Sequence, residues 1–249
     1  MHETVWLDEV DSTNYYLVHE LAGEEASAVA SWNQSAGRGR MGRSWVSPAG
    51  KSLALSVLIW PALTPRPLDA NWLGAVSALA GDQLANSVSA ELGIEVLLKW
   101  PNDLEIGGRK LAGILGEVTE AGHLVLGVGI NVWLAAEELP TERSTSLFLC
   151  GVTERVAIER IVRGFVDGLH RELSLATGGL SAEQVSRINS KLSSRMERVR
   201  VEYPDGTAQI GVAQGIDSAG RLLVLMDDSQ RIEAVAAGDV WHLRPDSSG

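Results

Sequence analysis

The chain has 249 residues, 45% of them hydrophobic, and a formal net charge of −11. That supports one large core, or a core plus a small second domain, and the acidic balance argues against nucleic acid as a partner because phosphate neutralisation dominates such binding. A single cysteine, Cys150, excludes an internal disulfide, and neither a secretory leader nor an apolar run of membrane-spanning length is found, so a soluble cytoplasmic protein is expected.

After Asp11-Ser12-Thr13-Asn14, residues 15–21 read as a helix with Ser12 or Thr13 as its N-cap. Residues 28–32 read as a strand that delivers Gln34 and an arginine-rich loop, and residues 53–60 as a second strand bounded by Pro61, Pro65 and Pro67. From Asn71 to Leu92 the apolar residues Leu73, Val76, Leu79, Ala80, Leu84 and Val88 recur at helical spacing, and Gly93 is a fitting stop. Residues 94–100 return to strand. Residues 104–106 and 109–118 form a hairpin with Gly107-Gly108 at its tip, and a second turn at 120–122 leads into residues 123–128, so the sheet is expected to be mixed or antiparallel. Residues 153–175 and 181–193 read as helices, the first mildly broken by Gly164 and Gly168. From residue 199 onward, five short strand segments separated by turn signals suggest a small barrel, and residues 246–249 a disordered tail.

Between Ala26 and Leu68 there is no Asp or Glu, yet Arg38, Arg40, Arg43, Lys51 and Arg66 are present. A cationic island in an acidic chain points to an anionic ligand. The glycines alternating with the arginines in Gly37-Arg38-Gly39-Arg40-Met41-Gly42-Arg43 let guanidinium groups converge on a phosphate or carboxylate. Gly37, Gly39 and Gly42 match the dinucleotide fingerprint in spacing, but a turn-rich run and a strand follow where that motif must open a helix. Gly50-Lys51-Ser52 fails as a P-loop for the same reason, with Trp45 at the position of the required first glycine. The five histidines are scattered and no metal-ligand spacing exists. Lys110 stands beside an apolar strand and would place its ammonium at the mouth of an apolar wall.

Five motifs follow in order: Ser12-Thr13-Asn14; Gln34 with Gly37-Arg38-Gly39-Arg40, Gly42-Arg43 and Trp45; Lys99-Trp100-Pro101-Asn102-Asp103; Arg109-Lys110-Leu111-Ala112-Gly113-Ile114-Leu115; and Gly127, Gly129-Ile130-Asn131. Together they resemble the motifs of biotin–protein ligases, in the short form without an N-terminal DNA-binding domain, so repressor activity is not implied. The resemblance implies an α+β fold, a mixed or antiparallel sheet with helices of the class II aminoacyl-tRNA synthetase-like ligase type, plus a small C-terminal SH3-like β-barrel. It divides the chain into a catalytic domain at 1–195 and a barrel at 196–245.

The activity implied is two-step. Biotin's carboxylate attacks the α-phosphate of ATP to give biotinyl-5′-adenylate and pyrophosphate. A lysine of a biotin carboxyl carrier protein then attacks the activated carbonyl and AMP leaves. By the same resemblance Ser12, Thr13, Asn14 and Gln34 are polar contacts to biotin. Arg38, Gly39 and Arg40 form a loop that closes over the ligand, and Lys110 bridges the carboxylate and the α-phosphate. Gly113, Gly127 and Gly129 line the biotin pocket; Arg43, Trp45, Asn131 and Arg244 serve ATP. Asn102 and Asp103 lie by the phosphates, with Asp103 a candidate Mg²⁺ ligand. A monomer or weak homodimer is implied, and the 36–46 loop is expected to be mobile until an anion arrives. The rival readings are a lipoate–protein ligase, which shares the fold and the adenylate logic, a non-catalytic sensor of biotin or a nucleotide, and a nicotinamide oxidoreductase, which the missing helix after Gly42 weakens.

Overall fold

A computed structural model describes residues 4–21, 28–42, 44–59, 70–119, 124–175, 178–203, 205–236 and 238–242. The main sheet has seven strands: β1 (Thr4–Leu7), β2 (Ala28–Ser31), β3 (Ser52–Ile59), β4 (Leu97–Lys99), β5 (Asp103–Ile106), β6 (Arg109–Val118) and β7 (Leu124–Asn131). Their order is β1-β2-β3-β7-β6-β5-β4. Only β1 and β2 run parallel, so the sheet is mixed, as expected. Strand β1 is an addition to the elements expected from sequence, and β4 starts later than expected; residues 94–96 precede the paired segment. The β5–β6 turn follows the sequence closely, with Gly107 and Gly108 both at positive φ, 56° and 73°. Such a two-residue turn matches the strand twist and favours glycine at both positions.

Helix α1 (Thr13–His19) is capped by Ser12, whose side chain accepts from the Tyr15 amide, and covers one face of the sheet. Leu17 and Leu21 pack there with Val29, Leu58 and Val125. The other face is covered by α2 (Ala70–Leu92) and α3 (Arg155–Leu175), where Leu53, Leu55, Val57 and Ile59 of β3 join the main core. The alternation along β3 is the two-residue period of a strand with both faces covered.

Gly164 and Gly168 do not break α3. A Cβ on Gly164 would stand 2.6 Å from Ser87 Oγ and one on Gly168 2.7 Å from Gln83 Oε1, so both glycines allow α3 to lie close against α2.

Helix α4 (Ala182–Lys191) begins with a capping box between Ser181 and Gln184 and is tied to α2 and α3 by buried charge. Asp82, fully buried on α2, meets Arg187 Nε at 2.7 Å and Lys191 Nζ at 2.5 Å. Arg187 also donates to Glu172 on α3 at 2.7 Å. Burial pushes the Glu172 carboxyl up, but the Gln184 and Arg187 donors outweigh it and hold the group below its usual range. After α4, five strands form a second, antiparallel sheet in the order β11-β10-β9-β8-β12: β8 (Arg198–Glu202), β9 (Ala208–Ile216), β10 (Leu222–Met226), β11 (Ile232–Val235) and β12 (Asp239–His242). These follow the five segments read from the sequence, and their apolar residues Val199, Val201, Leu222 and Val224 extend the main core. The expected turn at 120–122 and the tail at 246–249 lie outside the described residues. Among the described residues no helix is long and apolar enough to cross a membrane.

Removing the carboxylate of Asp82 leaves Arg187 and Lys191 facing each other without their shared anion. Asp82→Ala is expected to lower stability by about 3 kcal/mol, the low end for breaking a buried ion pair because both cations are partly exposed. Urea denaturation measures it, and a variant as stable as the parent would show that the network contributes nothing net.

Candidate active site

Strands β3, β7 and β6 lie side by side in a register that builds a floor. Ser56 pairs with Gly127 and Gly127 with Leu115; in the next row Ala54 pairs with Gly129 and Gly129 with Gly113. With period-two alternation all six face the same side, away from α2. Three of the six are glycine, so the floor is low, and a cavity of about 240 Å³ opens above it.

The room at these glycines is taken up by protein side chains. A Cβ on Gly127 would lie 2.8 Å from Asn14 Oδ1, and one on Gly129 2.5 Å from the Trp45 ring. One on Gly113 would meet Lys110 Nζ at 3.4 Å. The backbone therefore holds Asn14, Trp45 and Lys110 against the floor, in adjacent rows. This refines the expectation that the glycines simply present backbone to a ligand.

A polar network fills the Gly127 end. The Thr13 amide donates to Gln34 Oε1 at 2.9 Å, and Thr13 Oγ1 lies 3.1 Å from the same oxygen. Ser56 Oγ, fully buried beneath, is 2.7 Å from Thr13 Oγ1 and 2.5 Å from Asn14 Oδ1. Asn14 Nδ2 donates to Glu117. Each hydroxyl has one proton, so the Thr13 and Ser56 hydroxyls cannot serve all three contacts between them. The network therefore has acceptor capacity left over. Asn14, with both ends of its amide engaged, organises the network.

At the Gly113 end, Lys110 Nζ pairs with Asp103 Oδ1 at 2.7 Å. The Lys110 backbone is fixed on both sides, its amide donating to the Arg143 carbonyl at 2.7 Å and its carbonyl accepting from Thr145 at 2.8 Å. Asn102 Nδ2 donates to the Ile114 carbonyl at 2.8 Å, and Arg40 reaches Asn102 Oδ1 at 3.4 Å. The arginine loop comes over the cavity through an isolated bridge between Arg38 and Ser44 and a single 3-10 turn at Arg40–Gly42.

Ser12, Thr13, Asn14, Gln34, Arg38, Gly39, Arg40, Trp45, Asn102, Asp103, Lys110, Gly113, Gly127 and Gly129 thus all line one cavity. Asn131 does not line it. It is buried, and its amide donates to the Thr145 carbonyl at 3.0 Å, which supports the segment bridged to Lys110 at Ser144. Arg43 and Arg244 lie outside the described residues. Lys51 does not extend a basic surface: its ammonium lies 3.1 Å from Glu138, whose carboxyl is held below its usual range by the Ala135 amide and by Lys51.

Sequence reasoning missed Ser56 and Glu117. Ser56 is a polar residue in mid-strand among apolar neighbours, and Glu117 continues the two-residue step from Gly113 through Leu115. Both signals were present. Trp100 is buried and also lines the cavity.

For Mg²⁺ the donor set is thin. Asp103 and Glu117 are the carboxylates on the cavity, and among the described residues no group of three His, Cys, Asp or Glu could hold a metal. Two carboxylates do not make a protein cage for the ion.

The comparisons agree with this geometry. The sequence model of the Biotin/lipoate A/B protein ligase family matches residues 6–131, and that of the Biotin protein ligase C terminal domain matches residues 197–243. The chain is 39% identical over 219 residues to a biotin–[acetyl-CoA-carboxylase] ligase of Mycobacterium tuberculosis, covering 85% of this chain and 77% of that one. It is 33% identical over 224 residues to the bifunctional ligase/repressor BirA of Escherichia coli, covering 88% and 68%. The solved biotin protein ligase from Aquifex aeolicus in complex with biotin and ATP superposes with a TM-score of 0.80 at 25% identity, over 98% of this chain and all of that one. By sequence and by fold, this chain belongs to the biotin/lipoate A/B protein ligase family.

Proposed function

We propose that the chain is a biotin–protein ligase that activates biotin with ATP and transfers it to a lysine of a biotin carboxyl carrier protein. The observation that carries biotin over lipoate is the network of Thr13, Gln34, Ser56, Asn14 and Glu117 at the Gly127 end. A cyclic urea brings N–H donors that use the network's spare acceptor capacity, whereas a dithiolane offers no N–H or O–H donor to it. Sites built to hydrogen-bond reject analogues lacking the partner group by about 10⁴–10⁵. A non-catalytic sensor has no use for Lys110 held between a carboxylate and the mouth of the cavity.

In this reading the ureido group sits at the Gly127 end and the carboxylate points toward the Gly113 end. Lys110, Arg38 and Arg40 offset the repulsion between that carboxylate and the α-phosphate as one carboxylate oxygen bonds to phosphorus and pyrophosphate departs. Trp45 offers a ring face to adenine. Mg²⁺, bound with the nucleotide, supplies further neutralisation of the phosphates. For Lys110 to serve, its ammonium must share or leave Asp103, which an arriving pair of anions favours. Residues 1–195 are read as the catalytic domain and 196–245 as a small C-terminal one, supported by the start of β8 at Arg198 and by the family match at 197–243. The single cysteine suits the reducing cytoplasm.

Lys110→Ala is expected to lower adenylate formation by about 10²–10³, the usual loss on removing one preorganised charge-stabilising group. Pyrophosphate release from biotin and ATP measures it, with circular dichroism to show that the variant folds; near-normal release would remove Lys110 from the chemistry. Ser56→Ala is expected to weaken biotin binding about tenfold, because the Asn14 carbonyl loses its buried donor. Calorimetric titration with biotin tests this, and unchanged affinity would detach the network from the ligand. With net charge −11, global attraction cannot guide an acidic carrier domain, so transfer from preformed adenylate should depend only modestly on salt. A steep fall in second-order rate across an ionic-strength series would contradict local recognition around Arg38.

A further inference from the structure

We propose that the turn at residues 217–221, which joins β9 to β10, is a positioning element for the nucleotide end of the cavity. The inference rests on the ligase reading above. Trp100 is buried, and its Nε1–H donates to the Gly220 carbonyl at 3.0 Å, a bond that joins the small sheet to the main one. The next three residues, Pro101, Asn102 and Asp103, all line the cavity. Asn102 grips β6 twice, through its side chain to the Ile114 carbonyl and through its own carbonyl from the Ile114 amide at 2.9 Å. Asp103 holds Lys110. A shift of Trp100 therefore reaches the lysine ammonium through one short segment.

The turn is built to keep Gly220 in place. Gly220 has φ +76°, and a Cβ there would fall 2.4 Å from the carbonyl carbon of Gly74 on α2. A Cβ on Gly74 would in turn fall 2.7 Å from the Ala219 oxygen. Backbone lies directly on backbone, so neither partner can yield. Asp217 sets the shape of the turn: its Oδ1 accepts from the Ala219 amide at 2.9 Å and the Arg221 amide at 3.0 Å, and its Oδ2 faces Arg221 Nε at 2.7 Å. The Ser218 carbonyl accepts from the Leu180 amide at 2.8 Å, which anchors the turn to the connection between α3 and α4. No residue of 217–221 is among those lining the cavity. The polar network at the Gly127 end is carried by α1, β3 and the segment after β2, with Glu117 farther along β6 than the Ile114 that Asn102 grips, so the turn bears first on the Gly113 end.

The test is the ATP KM of pyrophosphate release set beside the biotin Kd, in Asp217→Ala, Asp217→Asn and Trp100→Phe. Asp217→Ala and Trp100→Phe are expected to raise the ATP KM about tenfold or more, as misplacement of a site by a fraction of an ångström does, with biotin Kd held within about twofold. Asp217→Asn keeps the Oδ1 acceptor and should restore an ATP KM near that of the parent. An unchanged ATP KM in both disruptive variants, or ATP and biotin weakening in parallel, would overturn the proposal. If Asp217→Ala does not fold, Trp100→Phe is read beside Arg221→Ala, which loosens the turn by removing the partner of Asp217 Oδ2 and lies away from the cavity; an unchanged ATP KM in Arg221→Ala would then overturn the proposal. Failure of the ligase reading shows separately, as absence of biotin-dependent pyrophosphate release in the parent; ATP affinity by direct titration of the same variants still tests the turn.

Discussion

Three strands, β3, β7 and β6, stand in a register that puts Gly127 beside Ser56 and Leu115, and Gly129 beside Ala54 and Gly113. Most of the site follows from that pairing. Side chains on a strand alternate, so a single step of slippage would turn these small residues toward the helices and raise Val128, Ile114 and Leu55 into the cavity. The glycines do more than leave space. Asn14 and Trp45 lie within van der Waals reach of the bare backbone, and any side chain at 127 or 129 would strike them. The Gly127 row and the Gly113 row are thus separated by two residues along the strands, about 6.7 Å, so the polar network and the Lys110–Asp103 pair occupy neighbouring rows of one floor.

Charge is arranged as tightly as shape. The protein is acidic overall, yet Arg38, Arg40, Lys99 and Lys110 converge on one cavity. Asp103 stands against Lys110 and Glu105 against Lys99, so these two lysines are held in place without ligand. Away from the cavity, Asp82 draws Arg187 and Lys191 of α4 onto α2, which sets the helix that leads into the small sheet. The small sheet then returns to the site through the bond from Trp100 to Gly220. Polar contacts therefore help to join what looks, in strand order, like two separate units. Buried polar contacts of this kind specify geometry more than they add net stability.

Much of this was legible in the chain itself. Gly107-Gly108, the periodicity of 71–92, and the five strand segments after residue 199 each carry a local signal, because turn type, helical face and strand alternation depend on neighbours a few residues away. The grouping of Arg38, Lys110 and Gly127 was readable only through the ordered motifs that resemble the ligase family, since no local rule brings residues 38, 110 and 127 together. The α3 glycines mislead for a related reason. A glycine in a helix looks like a weakness until the partner helix is present, and here Ser87 and Gln83 occupy the space each one leaves.

Composition and local pattern determined the elements, the acidic surface with its cationic island, and the residue types that activation of a carboxylate needs. Tertiary structure decided what those residues do. It made Asn14 an organiser, with its amide spent on Ser56 and Glu117, and set Asn131 behind the site against Thr145. It neutralised Lys51 with Glu138, 87 residues away in the chain, and set Glu117 on the cavity and Ser56 beneath it from positions that look like ordinary strand. The physical reason is the same in each case. Hydrogen bonds and ion pairs are short-range and directional, and their partners here lie 14 to 120 residues apart, so only the folded chain pairs them.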